Sequence, residues 1–450
     1  MRTIIIVLWK YRLSLSKYVP NPHVRLIVVA PQRMLCDERN IDVYYQVEPP
    51  IRDHHHCQLI QKVRELCSML ATTDRRIVVF EKALQQPIAQ IRMELDIEGM
   101  KPNELDRVLS IRNNHSVPRR NGFSTLRQCS LSGNPQPEHW LETVTSQVGG
   151  FPAVIRPIQN SCAHSIGFIR DENEFRSWLR RDSVSHNEQF VVEEYVENGH
   201  EFCSLFTARR GLIGCIASTE THRAVLECIQ NQQSYALEYL SANQTRDYLP
   251  GLESFSVQVI KSVFSSDYLG VLFIRGYYKD HNDIFLFGFS FEPDCETYRL
   301  LCAQADCPWE DIAIESQFNL NENNKNGMKS VSPPSSSKQI HSCVVNFPTA
   351  EGVLIHQATI PKRQSDIRVA WRVPEGQEMK NADTMDDNVL QVFLWGENRM
   401  QLLADCSHVL QYTDITIDKN ILSDKHSACR KNASNRLNAK ELVRSCTTAD

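Results

Sequence analysis

The chain up to about residue 105 alternates two kinds of hydrophobic pattern. Short apolar runs rich in β-branched residues predict strands, and apolar positions spaced three or four apart predict helices. The predicted strands are residues 3–8, 24–30, 42–46 and 76–80, and the predicted helices are residues 57–70 and 84–95. Strands that alternate with helices of this length favour a parallel, Rossmann-like sheet. No G-x-G-x-x-G follows the first strand, so no dinucleotide site is predicted there.

A different pattern begins at residue 151. An apolar strand, residues 151–155, ends in Arg156, a polar loop of small residues spans 159–165, and a second strand starts at Gly167. A fixed cation beside such a loop is able to hold a phosphate group, because the loop N–H groups and the charge converge on it. This stretch is therefore a candidate phosphate site.

The next strand ends in carboxylates. Residues 190–192 form an apolar run that leads into Glu193 and Glu194, with Glu201 shortly beyond. This order is typical of purine sites, in which backbone groups contact the base edge and carboxylates bind the ribose hydroxyls. An ordinary antiparallel sheet with a polar hairpin loop remains the alternative interpretation of residues 151–201.

These motifs resemble the ATP-grasp superfamily, and within it the carboxylate–amine ligases that include carnosine synthase and the biotin carboxylase-like enzymes. The family combines an FPxVxKP strand, a Gly/Ser-rich phosphate loop and a hinge that begins with EEY, and this chain has FPAVIRP, QNSCAHS and EEYVENGHE in that order. Arg156 stands at the family's Lys, and Cys162, Ala163 and His164 stand where glycines are usual.

The resemblance continues on both sides of this stretch. Asp106 and Arg107 correspond to an Asp-Lys pair of the family, and Val117-Pro118 corresponds to the Val-Pro that opens its nucleotide-binding domain. Arg in place of Lys keeps the charge but replaces a compact ammonium by a planar fork. Residues 343–418, with short β runs and a predicted helix at 399–411, resemble the family's C-terminal lid-side domain.

The closing hairpin bears on catalysis. Predicted strands at residues 270–277 and 284–289 are joined by KDHND, a turn sequence. In the family these strands carry the acid, Glu and Asn that bind magnesium, whereas this chain has Arg275, Gly288 and Ser290 at those positions. Magnesium requires hard oxygen ligands. Either Glu292 or Asp294 binds the metal, or the site has lost its metal ligands. FLFGFSFEP aligns without a gap on the family's closing strand and turn, and this favours the loss of the ligands.

The resemblance implies an α/β (α+β) fold in three domains. They are a Rossmann-like domain at 1–105, an ATP-grasp domain at 106–318 and a small β-rich domain at 343–418. Residues 319–342, rich in Asn, Lys, Ser and Pro, predict a flexible linker, and residues 419–450 a disordered tail.

The implied function is ATP binding, with ATP-dependent ligation of a carboxylate, such as an amino acid, to an amine through an acyl-phosphate. The alternative is an inactive pseudoenzyme that serves as a regulatory or interaction module, in which Arg275 partly replaces a metal cation at the phosphates. No catalytic residue is assigned. The implied nucleotide-binding residues are Arg107, Arg156, Ser161, Ser165, Glu193, Glu194, Val196, Glu201 and Arg275. No metal ligand is assigned, and Glu292 and Asp294 are the candidates.

Composition limits the possible partners. The 450 residues suffice for two or three domains, since single cores stop growing near about 250 residues. With 42% hydrophobic and 23% charged residues, the composition is that of an ordinary soluble globular protein. A net charge of −5 gives no electrostatic reason to expect nucleic acid or an anionic membrane as partner. The apolar run IIIVLW near the N-terminus is too short to span a bilayer and predicts a buried strand.

The cysteines predict a reducing compartment. The chain has 15 of them, without a C-x-x-C or a repeated spacing, so we expect reduced, mostly buried thiols and a cytoplasmic protein. The run His54-His55-His56-Cys57 is not expected to bind a metal, because consecutive residues cannot all face one ion. It is interpreted as an exposed loop.

Overall fold

The structure is a computed structural model of the chain. It describes residues 2–15, 18–31, 40–47, 56–70, 74–110, 122–132, 137–157, 167–180, 189–207, 211–219, 224–264, 270–291, 295–307, 309–317, 340–357 and 359–419. These residues fall into two compact units, one formed by residues 1–224 and 237–342, the other by residues 225–236 and 343–450.

The elements of both units are numbered in chain order. The strands are β1 Arg2–Val7, β2 Val24–Ala30, β3 Val43–Gln46, β4 Asp74–Val79, β5 Gln128–Leu131, β6 Ala153–Pro157, β7 Gly167–Ile169, β8 Phe190–Glu194, β9 His200–Thr207, β10 Gly211–Ser218, β11 Tyr235–Ser241, β12 Val271–Tyr278, β13 Ile284–Ser290, β14 His341–Pro348, β15 Gly352–His356, β16 Asp366–Trp371, β17 Glu378–Met379, β18 Asn388–Gly396 and β19 Thr416–Asp418. The helices are α1 Cys57–Met69, α2 Lys82–Glu94, α3 Pro102–Ser110, α4 Pro137–Gln147, α5 Glu172–Leu179, α6 Val225–Gln230, α7 Ala242–Tyr248, α8 Leu252–Val263, α9 Glu296–Gln304, α10 Trp309–Glu315 and α11 Arg399–Tyr412.

The first unit begins with a parallel sheet in the order β3-β2-β1-β4. Its apolar side chains pack with those of α1 and α2 in one core, with Ile5, Val63 and Ile88 fully buried. A continuous apolar strand such as β1 is what a parallel sheet needs when its strands are buried. The predicted Rossmann-like arrangement is confirmed, and IIIVLW contributes a buried strand.

A second sheet of the first unit is antiparallel, in the order β5-β8-β6-β7. One face packs against α4 and α5 through a core that includes Trp140, Phe175 and Phe190. Helix α5 begins at Asp171, whose carboxylate accepts a hydrogen bond from Glu174 N. The alternation of side chains along β6 and β8 leaves Arg156 and Glu193 on the other face.

A third sheet of the first unit runs β13-β12-β9-β10-β11 and is antiparallel. Phe206, Leu272 and Ile274 on one face pack against α8, which carries Val259 and Val263. The predicted hairpin of residues 270–289 is confirmed as β12 and β13.

The second unit contains the short helix α6, most of β14, β15 to β19 and α11. Strands β14, β18 and β16 are neighbours, and β17-β15-β19 form a small separate sheet. Leu390 and Leu402 belong to a core formed by both sheets and α11. The β-rich unit with one long helix near residues 399–411 is as predicted.

Other expectations have mixed outcomes. The prediction of an exposed loop at residues 54–57 is wrong at its end. Cys57 is exposed, but it is the first residue of α1. His54, His55, nearly all of the linker at 319–342 and nearly all of the tail at 419–450 lie outside the described residues. Most described cysteines are buried, as expected. Across the described ranges, no helix is long and apolar enough to cross a membrane.

Candidate functional site

The candidate site is centred on the turn that joins β8 to β9. Strand β8 is the inner strand between β5 and β6, so its two terminal carboxylates are held by pairing on both sides. The chain then turns at Asn198, whose φ of 56° is left-handed, and Gly199. Asn tolerates this conformation better than most residues. A Cβ on Gly199 would lie 3.1 Å from Val196 Cγ1, so the turn is closely packed.

Arg156 and Glu193 form a buried ion pair on the face of the β6–β8 sheet opposite α4 and α5. Arg156 Nη2 and Nε donate to Glu193 Oε1 at 2.7 and 3.2 Å, and the two side chains are 5% and 1% exposed. In the register Val154 lies opposite Glu193, so Arg156 reaches Glu193 diagonally across the two strands. The cation predicted to face phosphate therefore also neutralises a buried carboxylate.

Glu194 has a different partner. Its carboxylate accepts from Arg127 N at 2.7 Å and from Arg127 Nε. The Arg127 side chain is 60% exposed, whereas that of Glu194 is 17% exposed. Arg127 lies over Gly149, where any Cβ would collide with its guanidinium. These contacts fix the end of β8 to the segment before β5.

Glu201 lies near the start of β9, beside β12. Its N–H donates to Ser218 Oγ at 3.0 Å, and it is directly opposite Tyr277 in the register. Side chains alternate along a strand, so Glu201 and Cys203 share a face with Tyr277 and Arg275. This face is the one opposite Phe206 and Leu272, which pack against α8.

Arg275 lies in the middle of β12, opposite Gly288 of β13 and Cys203 of β9. Its guanidinium lies 5.3 Å from the centre of the Phe287 ring. The register shifts by one residue just after Arg275, where Gly276 pairs with Leu286. A Cβ on Gly276 would collide with Phe285 O and lie 2.8 Å from Phe202 Cζ, so only glycine fits at this irregularity.

Two tyrosines share the surroundings of Arg275. Burial, and then the charges of Glu201 and Glu193, hold the pKa of Tyr277 well above its usual range. Burial also raises the pKa of Tyr298, on α9, while the charge of Arg275 lowers it. Tyr277 is thus close to both carboxylates. We call Glu193, Val196, Glu201, Arg275 and Tyr277 the hinge site.

The other predicted residues are placed as follows. Val196 is buried in the turn. Arg107 lies on α3, where its side chain is exposed and Nη2 donates to Val263 O. Ser161 and Ser165, as well as Glu292 and Asp294, lie outside the described residues. The structure thus brings together predicted site residues from β6, β8, β9 and β12.

Sequence reasoning missed Arg127, Tyr277 and Tyr298. Tyr277 had a readable signal, because it is two residues from Arg275 on a strand and must share its face. Arg127 and Tyr298 had none, since their contacts depend on how separate elements pack.

The resemblance assigns the family's magnesium positions to Arg275, Gly288 and Ser290, and these described residues do not fit the metal. Arg275 brings a positive charge, Gly288 has no side chain, and Ser290 offers only a hydroxyl, whereas magnesium requires carboxylate or similar oxygens. Among the residues that the structure describes, no group of three His, Cys, Asp or Glu side chains is placed to hold a metal ion. We therefore derive no chemical step through magnesium.

A cavity of about 60 Å³ lies elsewhere in the first unit. Phe80, Arg92, Gly99, Val271 and Trp309 are among its lining residues, and none of the predicted site residues is. Pockets for small-molecule ligands usually measure about 300 to 1,000 Å³. This cavity is too small for a nucleotide, so the candidate site rests on the side chains of the hinge site.

Comparisons with known proteins agree with this architecture. No family model matches the sequence, and no curated protein matches it. Among solved structures, the L-amino acid ligase from Bacillus licheniformis is similar, with a TM-score of 0.59, 9% identity, and coverage of 93% of this chain and 99% of that one.

Two further structures are similar over the same extent. Phosphoribosylglycinamide synthetase from Anaerococcus prevotii has a TM-score of 0.52 at 12% identity, with 93% of this chain and 99% of that one covered. N5-carboxyaminoimidazole ribonucleotide synthetase from Thermotoga maritima has the same score and identity, with 93% and 100% covered. At such identities the likeness concerns the fold, and this chain has the fold of the ATP-grasp carboxylate–amine ligases.

Proposed function

We propose that this protein binds an adenine nucleotide at the hinge site and that it does so without catalysing ligation. The observation that carries the proposal is the pairing of Arg275 with Gly288 across β12 and β13. By the resemblance, a guanidinium replaces the family's metal-binding acid, and Gly288, which faces it, has no side chain. An arginine matches phosphate oxygens in charge and geometry.

The other hinge-site residues complete this assignment. Glu201 is half-buried at the start of β9, in reach of a ribose placed over the turn. Backbone groups near Val196 would contact the base edge, and Arg275 would contact the phosphates. Arg156 neutralises Glu193, which otherwise would place an unpaired negative charge near an anionic ligand. Ser161 and Ser165 remain the proposed phosphate-loop contacts.

A second candidate is an active ligase. The likeness to an L-amino acid ligase over 93% of the chain favours it. In this candidate the carboxylate is activated with ATP as an acyl-phosphate, an amine displaces the phosphate, and Glu292 or Asp294 supplies the metal ligands. An amino acid and an amine would be the substrates. A cytoplasmic location, inferred from the cysteines, belongs to both proposals.

Phosphate release separates the two candidates. The wild-type protein would be incubated with ATP, magnesium and a panel of amino acids and amines, singly and in pairs. Binding without catalysis predicts release no faster than that of ATP alone. Magnesium-dependent release that requires a carboxylate–amine pair would establish the ligase and refute the non-catalytic proposal.

A further inference from the structure

Helix α9 ends in a turn that brings two thiols together. Asp306 is left-handed, with φ of 57°, and Cys307 N donates to Cys302 O at 2.9 Å while Asp306 N donates to Ala303 O at 3.1 Å. These are the two hydrogen bonds of a Schellman motif. In this motif, the residue that follows the left-handed residue lies against the helix residue five positions before it. Those two residues are Cys307 and Cys302.

The two thiols are in contact in this turn. The Cys302 thiol is hydrogen-bonded to the Cys307 sulfur, and this hydrogen bond together with burial holds the pKa of Cys302 well above its usual range. The Tyr239 hydroxyl is also hydrogen-bonded to Cys307. Two donors therefore point at one sulfur. Cys307 is half-buried, whereas Cys302 is buried.

We propose that Cys302 and Cys307 form a reversible disulfide when the protein meets a peroxide. The backbone hydrogen bond between these residues holds their Cα atoms at a separation compatible with a disulfide, usually about 4.4 to 6.8 Å. The Schellman motif frequently brings the side chains at these two positions into contact, in agreement with the hydrogen bond between the two thiols. Residues 302 and 307 thus form a modification site distinct from the nucleotide-binding function proposed above.

The chemistry divides between the two sulfurs. The Cys307 thiolate attacks the peroxide, so that an S–O bond forms, the O–O bond breaks and the leaving oxygen takes a proton as water. The Cys302 thiol loses its proton as its sulfur attacks Cys307, the S–S bond forms, and the S–O bond breaks to release a second water. Two thiols are oxidised and one peroxide is reduced to two waters.

This pair is close to the hinge site. The Cys302 pKa is raised in part by Cys203, which lies opposite Arg275 in the β9–β12 register. The same helix carries Tyr298, whose pKa responds to Arg275. Oxidation would therefore fix the end of the helix that carries Tyr298.

The sequence allows a direct test. Both cysteines lie on one tryptic peptide, residues 300–325, with no Lys or Arg between them and no other cysteine. The full chain would be treated with hydrogen peroxide, denatured, alkylated and digested. We expect this peptide to lose two hydrogens and to carry no alkyl group, and thiol reductant to restore alkylation at both cysteines.

Variants distinguish the proposal from general oxidation. In Cys307→Ser, Cys302 should remain reduced and alkylate fully, because it is buried and has lost its partner. Cys67→Ser, which removes a buried thiol of the N-terminal core, should leave the result unchanged. Two results would overturn the proposal. One is a wild-type peptide that still carries two alkyl groups after the exposed Cys57 has been oxidised, and the other is a disulfide that joins either cysteine to another peptide.

Discussion

Arg156 and Glu193 form an ion pair with almost no exposure to water, at 5% and 1% of their side-chain surfaces. Both guanidinium donors converge on the same carboxylate oxygen. Desolvating two charges is costly, and a buried pair is retained only because each group neutralises the other. Arg156 is thus part of the structure of the β6–β8 sheet as well as a candidate contact for phosphate.

Removing Arg156 should therefore destabilise the fold. Arg156→Ala leaves Glu193 charged and buried, and we expect the free energy of unfolding to fall by about 3 to 5 kcal/mol. Chemical denaturation measures this change. Arg246→Ala, which breaks the exposed pair with Glu253, is the control and should cost about 1 kcal/mol or less.

The double variant completes that test. Arg156→Met with Glu193→Leu removes both charges and should regain most of the lost stability. If Arg156→Ala alone proves as mild as Arg246→Ala, then Glu193 is not held as a buried charge and this view of the β6–β8 face is wrong.

The irregularity in the β12–β13 hairpin should depend on glycine. Gly276→Ala would force a Cβ against Phe285 O and Phe202, so the strands must move apart. We expect a loss of about 1 to 3 kcal/mol in unfolding free energy, and weaker nucleotide binding because Arg275 and Tyr277 would shift. Gly396→Ala, with only Ser365 Oγ at 3.8 Å, is the matched control and should be nearly neutral. Equal effects of the two substitutions would contradict the close packing at Gly276.

Stability should depend on pH through Glu310. Burial raises the pKa of Glu310 from 4.5 to about 7, although Tyr11 and Ser14 N donate to its carboxylate and Arg299 lies nearby. The folded state therefore favours the protonated form. Relative to Glu310→Gln, the free energy of unfolding should fall as the pH rises from about 4.5 to 7, by at most about 3 kcal/mol, and then level off.

Denaturation of both proteins across that pH range checks this sign. Asp311 also raises the Glu310 pKa, so Asp311→Asn should shift the fall toward lower pH. If the free energy of unfolding of the wild type, relative to Glu310→Gln, instead rises with pH, the carboxylate is stabilised in its charged form.

How far the sequence could predict this structure differs from one residue to another. The strand at 190–192 and the helix at 399–411 were recoverable because their apolar spacing is local. The Arg156–Glu193 pair was not, because it depends on how β6 pairs with a strand 37 residues away. The contact of Cys302 with Cys307 was hidden for a similar reason, since it requires a left-handed Asp306 that no pattern at this position indicates.

Arg275 should contribute directly to nucleotide affinity. Arg275→Ala removes one charge-assisted contact to phosphate, so we expect ATP to bind about ten- to a hundredfold more weakly. Because Arg275 is half-buried and beside Phe287, Arg275→Met is a second variant that keeps the packing and should show the same loss. Arg246→Ala serves again as the control. Unchanged ATP affinity in both Arg275 variants would remove this residue from the site.

The most direct test of the central proposal is calorimetric titration of the wild-type protein with ATP, once with magnesium and once with a chelator. Because the resemblance places Arg275, Gly288 and Ser290 at the family's metal-ligand positions, we predict binding in both conditions with affinities that agree within about threefold, less than 1 kcal/mol. Substituting Arg275→Glu, Gly288→Glu and Ser290→Asn together should make binding depend on magnesium. Wild-type binding that requires magnesium, or no binding in either condition, would contradict the proposal.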